Sequence, residues 1–220
     1  MRFVDKYQPF LYPLIARTIF REVSKRIETV LDVGSGPGYL SVEMAARPPI
    51  KVQAIDINPT MLALAAKRAD QRGFRSQIVF DTADVHQLPY KSNTFDLVVS
   101  YSCLHHWHDI PTALSECVRV LRPGGTLYII DSYPDPQAVS FFKRMIPEPE
   151  LARFAVQALE ESLEPETIRA FVKNLETQNF EVADFVFDEE DMLEIIEHIQ
   201  DSPFEEAPPN TISWKLVATK

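Results

Sequence analysis

Cysteine is nearly absent. Cys103 and Cys117 are the two in 220 residues, which excludes a disulfide framework, and their spacing offers no structural zinc site. No apolar run approaches the ~18 residues of a membrane span. The opening MRFVDKYQPF lacks the basic start, long apolar stretch and small-residue cleavage site of a secretory signal. A cytoplasmic location with reduced, packed thiols is the expectation. Basic charge is short as well: 22 Lys and Arg stand against 32 Asp and Glu, a net charge of −10. Such a surface repels a polyphosphate backbone, so no nucleic-acid partner is expected. Glycine is scarce too, with six in the chain, three of them at alternate positions in VLDVGSGPGYLS, residues 30–41.

What is present alternates. Short β-rich runs at 29–33, 51–55, 78–82, 95–100 and 126–131 are separated by amphipathic helical stretches, the pattern of strand-helix-strand units around a parallel sheet. Asn58 and Pro59 form a helix start for 60–72, with Gly73 as its C-terminal cap. Leu114, Cys117, Val118 and Leu121 share one face of a helix over 111–121, and RPGG at 122–125 reads as its stop. Ahead of the first strand, residues 6–26 carry apolar positions at helical spacing interrupted by Pro9 and Pro13, which predicts one broken helix or two short ones. Beyond residue 132 a proline-punctuated helical region runs to about Ser162, and Pro165 opens a helix to about Gln178. Runs at 182–187 and 212–218 read as two more strands, flanking an inserted helix with Met192, Leu193, Ile196 and Ile199 aligned.

The glycine loop follows the first strand, where open α/β sheets place their ligands. A dinucleotide fingerprint needs glycine at position 39, which is Tyr, and no Gly-Lys-Ser/Thr follows for a phosphate-binding P-loop. Asp32 decides the ligand's charge: a carboxylate there repels a pyrophosphate and suits an ammonium group. Asp56, ending the second strand in AIDINP, stands where an acid commonly binds ribose hydroxyls, and Asp84 in TADV can accept from an exocyclic amine. An amino-acid end, a ribose and an adenine without phosphate describe S-adenosylmethionine.

Four stretches in order, VLDVGSGPGYLS, AIDINPTMLALA, DTADVHQLPYKSNTFDLVVSYSCLHHWHD and ECVRVLRPGGTLYIID, carry a match that runs over roughly residues 29–131. Together they resemble the class I S-adenosylmethionine-dependent methyltransferases, nearest to the small-molecule enzymes of quinone and sterol biosynthesis. The resemblance implies an α/β fold with a seven-stranded, mostly parallel sheet, helices on both faces, and the last strand antiparallel between strands five and six. It implies that Asp32 and Gly34 face the methionyl part, with Ser35, Gly36 and Gly38 completing the loop. Asp56 would bind the ribose, Ile57 and Met61 lie along the adenine, Asp84 and Val85 hold its edge, and Ser100 closes strand four. On the same footing the chain is one domain, residues 1–220. Within it, 1–28 form a helical lid, 29–131 the cofactor-binding core, 132–180 the acceptor pocket, and 181–220 a strand pair with a helical insertion.

CLHHWHD at 103–109 invites a metal reading, but three histidines within four residues do not share a helix face, and no metal is expected. His105 is expected to line the cofactor pocket, and His106 or His108 is the candidate general base. Tyr7, Tyr12 and Tyr133, in segments rich in aromatics, are candidate walls of a water-excluding acceptor pocket. The expected reaction is methyl transfer to a small-molecule acceptor, with S-adenosylhomocysteine as the product. A protein that binds this cofactor without methylating anything is the alternative.

Overall fold

The computed structural model describes residues 10–23, 25–145, 149–200 and 213–220. Five apolar runs form the parallel part of one sheet: β1 (Thr29–Val33), β2 (Lys51–Asp56), β3 (Ile78–Thr82), β4 (Phe95–Tyr101) and β5 (Leu121–Ser132). β6 (Asn179–Asp184) and β7 (Ser213–Thr219) complete seven strands in the order β3-β2-β1-β4-β5-β7-β6. β7 is antiparallel to both β5 and β6, as the resemblance implies. Strand order reverses between β1 and β4, so the carboxyl ends of these two strands border the crevice in which such sheets bind ligands.

Helices cover both faces. On one side α1 (Leu11–Glu22), α2 (Tyr39–Ala45) and α3 (Pro59–Arg72) pack Ile15, Ile19, Leu40 and Ala69 against Val30, Val52, Leu97 and Tyr128 of the sheet. On the other, α4 (Ile110–Val120) and α7 (Pro165–Val172) bury Leu114, Cys117 and Ile168 against Leu31, Val98 and Trp214. α5 (Pro136–Met145) and α6 (Pro149–Glu160) pack on each other, and α8 (Glu189–Gln200) lies between β6 and β7 in the chain. Local chemistry sets the helix ends: Asn58 Oδ1 accepts from Thr60 N at 2.9 Å to start α3, and Gly73 stops it at φ +77°. Asp109 does the same for α4 through Thr112 N at 3.2 Å.

Several boundaries differ from the sequence expectation. From Leu11 the described part of the expected 6–26 segment runs as one helix, α1, with Pro13 in its first turn, where amide hydrogens have no intrahelical acceptor anyway; Pro9 lies outside the described residues. β5 begins at Leu121: Leu121 pairs with Phe95 of β4. The glycines behind it pair with the chain end, Gly124 N to Lys220 O at 2.7 Å and Lys220 N to Gly125 O at 3.0 Å. β6 lies at Asn179–Asp184 instead of 182–187, and α7 ends at Val172. Among the described side chains of α8, Asp191 and Ile195 are buried, whereas Met192 and Leu193 are exposed. The cause is α1, whose Arg17 and Arg21 reach Asp191 at 2.9 and 3.0 Å. Ile196 and Ile199 lie outside the described side chains, and Tyr7 outside the described residues. Among the described residues no helix is long and apolar enough to cross a membrane.

Candidate functional site

β1 ends in Asp32, whose side chain turns toward α2 and is 1% exposed. Ser41 Oγ, one turn into α2, donates to Asp32 Oδ2 at 2.5 Å. Burial, with Asp56 adding to it, pushes the Asp32 carboxyl up to about 7 against the opposing Ser41 bond. No cationic side chain acts on it among the described residues, so a buried carboxylate stands without the charge partner it needs to ionise freely.

The loop that follows is forced into glycine. Gly34 has φ +69°, and a Cβ there would collide with the Cys103 thiol. Gly38 has φ +77°, and its Cβ would come within 2.6 Å of Ala65 on α3. Arg68 of α3 donates to the Pro37 carbonyl and lies 3.5 Å over the Tyr39 ring, which clamps the loop from outside. Ser35 Oγ is buried in this loop with no hydrogen-bond partner.

Asp56 is oriented by backbone alone: Oδ2 accepts from Gly36 N and Oδ1 from Asn58 N, each at 2.8 Å. Each oxygen keeps a further lone pair for a hydroxyl. Ile57, beside it, is 72% exposed, an apolar side chain left bare next to a polar loop, and Met61 follows one turn into α3. Asp84 caps the turn Val85–Gln87, accepting from His86 N at 2.9 Å and meeting His86 Nδ1 at 2.5 Å, which holds its carboxyl below the ordinary range. Val85 is buried beneath it.

Tyr12, from α1, stacks on Tyr39 at 4.8 Å and meets Tyr101 edge-on at 5.4 Å. Burial raises its hydroxyl beyond the usual tyrosine range, and Asp32 is among the charges acting on it. These three rings form one cluster, and the Asp32 charge reaches its Tyr12 member. Cys103 packs against Gly34, its thiol pushed up to about 12, chiefly by burial. It is a packed neutral thiol.

The remaining expected residues separate. Ser100 spends its hydroxyl on Val33 O at 2.9 Å, tying β4 to β1. Tyr133 donates to Asp184 at 2.5 Å and packs with Phe171 and Leu175 against the α4–α7 side of the sheet. His108 stacks on His86 at 3.7 Å, grouping with Asp84. His106 is half-exposed and faces Glu161 at 3.3 Å, the first residue beyond α6. A cavity of about 510 Å³ lies between α5 and α6, lined by Lys143, Arg153, Val156, Gln157, Glu160 and Glu161. The glycine loop is not part of it. His105 is buried against Asp131 at 2.8 Å. Among the described residues no cluster of His, Cys, Asp and Glu is placed to hold a metal ion.

Sequence reading missed Ser41, Arg68, Tyr39, Cys103 and Asp131 at this site. Ser41 could have been found, since it closes one helical turn after the third loop glycine; the others depend on contacts between distant segments.

Residues 31–129 match the methyltransferase domain family. The demethylmenaquinone methyltransferase of Thermus thermophilus is 31% identical over 138 residues, covering 60% of this chain and 62% of its own. The norajmaline N-methyltransferase of Rauvolfia serpentina is 33% identical over 112 residues, covering 51% of this chain and 38% of its own. The chain thus spans less than two thirds of the length of these curated relatives. Among solved structures, the plantazolicin methyltransferase BpumL in complex with S-adenosylhomocysteine and a desmethylplantazolicin analogue superposes with a TM-score of 0.75 at 15% identity, over 99% of this chain and 88% of that one. A SAM-dependent methyltransferase from Aquifex aeolicus gives 0.67 at 18% identity, over 95% and 91%. Residues 31–129 thus match a methyltransferase domain, and the chain shares its fold with solved S-adenosylmethionine-dependent methyltransferases.

Proposed function

We propose that the protein transfers a methyl group from S-adenosylmethionine to a small-molecule acceptor. The observation that carries this reading is Asp32: a buried carboxylate, 1% exposed, behind a positive-φ glycine loop and without a cationic partner among the described residues. A ligand ammonium supplies the missing charge. The unpartnered Ser35 Oγ, the pre-oriented Asp56 carboxylate and the bare Ile57 side chain fit the rest of the same ligand, in the order carboxylate or amine, ribose, adenine.

When bound, S-adenosylmethionine supplies an electrophilic methyl on a sulfonium. The chain's own contribution is positional. Asp32 and the backbone of residues 34–38 hold the amino-acid end, Asp56 fixes the ribose, and Ile57, Met61, Asp84 and Val85 fit the base. Tyr12, Tyr39 and Tyr101 exclude water from the Asp32 end. Alignment of two reactants in a dry pocket provides most of the barrier reduction that such a displacement needs.

Relatives are named for methylation of norajmaline, demethylmenaquinone and 27-O-demethylrifamycin SV. They support a small-molecule acceptor and leave its chemistry open. Incubation of the protein with methyl-labelled S-adenosylmethionine and small-molecule extracts tests the reading: label appears in an acceptor, and S-adenosylhomocysteine forms in equal amount. Tight cofactor binding with no labelled product from any extract favours a cofactor-binding protein that does not methylate.

A further inference from the structure

We propose that the cavity between α5 and α6 seats the methyl acceptor, and that this acceptor carries a carboxylate, held by Arg153, at the end remote from its reacting atom. This deepens the methyl-transfer reading above and rests on it. The cavity, about 510 Å³, has the volume of a small-molecule site, roughly 300–1,000 Å³. Its lining is polar: Lys143, Arg153, Glu160 and Glu161 bring charge and Gln157 an amide, against Ala152 and Val156 as the apolar part. A long hydrocarbon chain would strip these groups of water and return no hydrogen bonds. The occupant is therefore polar and compact.

Pairing inside the cavity decides the sign of its charge. Glu160 meets Lys143 at 3.2 Å, while Glu161 accepts from Gln157 Nε2 at 2.6 Å and faces His106 at 3.3 Å. Both acids are engaged. Arg153 lines the same space and is exposed, and among the described residues it has no hydrogen-bond or ion-pair partner. Its guanidinium is the charged lining group with all its donors still to spend. A carboxylate matches that fork with two parallel bonds and a single charge. A phosphate monoester brings up to about two charges into a space shared with two carboxylates, more than one spare cation balances.

Position ties the cavity to the candidate cofactor site. Glu161 faces His106, the last residue of the turn Leu104–His106, and Cys103, just before that turn, packs against Gly34. At ~2 Å of rise per residue the turn spans about 6 Å. Arg153 stands two helical turns before Glu161, about 11 Å along α6, and its own long side chain shortens the gap. The acceptor therefore has on the order of 10 Å between its carboxylate and its reacting atom.

The test reads the anionic end first, with benzoate as the probe. The full chain, labelled with nitrogen-15 arginine and carbon-13 valine methyls, is titrated by nuclear magnetic resonance, free and with S-adenosylhomocysteine added, against benzoate, benzamide, phenyl phosphate and benzylamine. Benzoate should shift the Arg153 Nε–H and Val156 methyl signals saturably, with the other three about tenfold weaker or more. Arg153→Gln should weaken benzoate about tenfold and Arg153→Lys restore part of it, while calorimetry shows both variants still binding S-adenosylhomocysteine. Unmoved signals, equal binding of the amide, the amine or the phosphate, or an unchanged response in Arg153→Gln overturns the proposal. The labelled product formed from small-molecule extracts supplies the second reading. An anion exchanger should retain it at neutral pH, its label should survive alkali, and Arg153→Gln should raise KM for its acceptor about tenfold with kcat kept. A product that is not retained, or whose label leaves as methanol because the carboxylate itself was methylated, overturns the proposal too. Failure of the folded wild type to bind S-adenosylhomocysteine, with benzoate still seated, strikes instead at the cofactor reading.

Discussion

Asparagine at position 32 separates what the fold wants from what the site needs. The Asp32 carboxyl moves from 3.8 to about 7 on folding, through burial first and Asp56 second, with Ser41 opposing. Between those values the folded state holds a proton that the unfolded chain has released. Stability is thus highest below the lower value, falls as pH rises through the window, and carries the whole loss above the upper one. At ~1.4 kcal/mol per pH unit, the loss is roughly 4 kcal/mol. Asp32→Asn abolishes the ionisation and keeps an oxygen for Ser41, but its amide needs an acceptor, which costs about 1–3 kcal/mol. The variant should therefore exceed the wild type by a few kcal/mol at about pH 8 and lose that advantage toward about pH 4. Urea unfolding across this range measures the gap. It should change by several kcal/mol, and a pH-independent gap refutes a buried, cation-free Asp32. The same variant should lose S-adenosylhomocysteine binding, because it has no charge to offer the ammonium.

Four further outcomes follow from the same geometry. Asp56→Ala should weaken S-adenosylhomocysteine ten- to a hundredfold by calorimetry, since charge-assisted hydrogen bonds contribute about 1.5–3 kcal/mol. Asp84→Ala should weaken it less and lower stability by about 1 kcal/mol in denaturant, because it also removes the cap of the Val85–Gln87 turn. Gly34→Ala should lower both the melting temperature and the stabilisation that S-adenosylhomocysteine gives, as its Cβ meets Cys103. Asp191→Ala should cost on the order of 1–3 kcal/mol in urea unfolding, because Arg17, Arg21 and Thr18 all converge on that buried carboxylate and the arginines can turn to water once it is gone.

The cofactor half of the fold was legible because its signals are local. Strand runs are apolar, Asn58 and Pro59 announce α3, Gly73 ends it, and the loop glycines carry the positive φ angles that only context beyond one sequence would otherwise reveal. What escaped reading depends on distant partners. RPGG reads as a turn, yet it pairs with the last residue of the chain. α8 reads as burying Met192 and Leu193, yet two arginines from α1 draw Asp191 inward and rotate the helix. β6 is an edge strand with an exposed Phe180, so its pairing with β7, more than its own alternation, sets its limits. Asp131 lies 26 residues from His105, and nothing in either local stretch announces the pair.

Isothermal titration of the purified, ligand-free protein with S-adenosylhomocysteine, repeated across pH, tests the central claim most directly. The site described here predicts saturable one-site binding above neutrality, weakening about tenfold per pH unit once Asp32 holds its proton. Folded protein that shows no binding, or binding indifferent to pH through this range, contradicts a glycine-loop site built around a buried carboxylate.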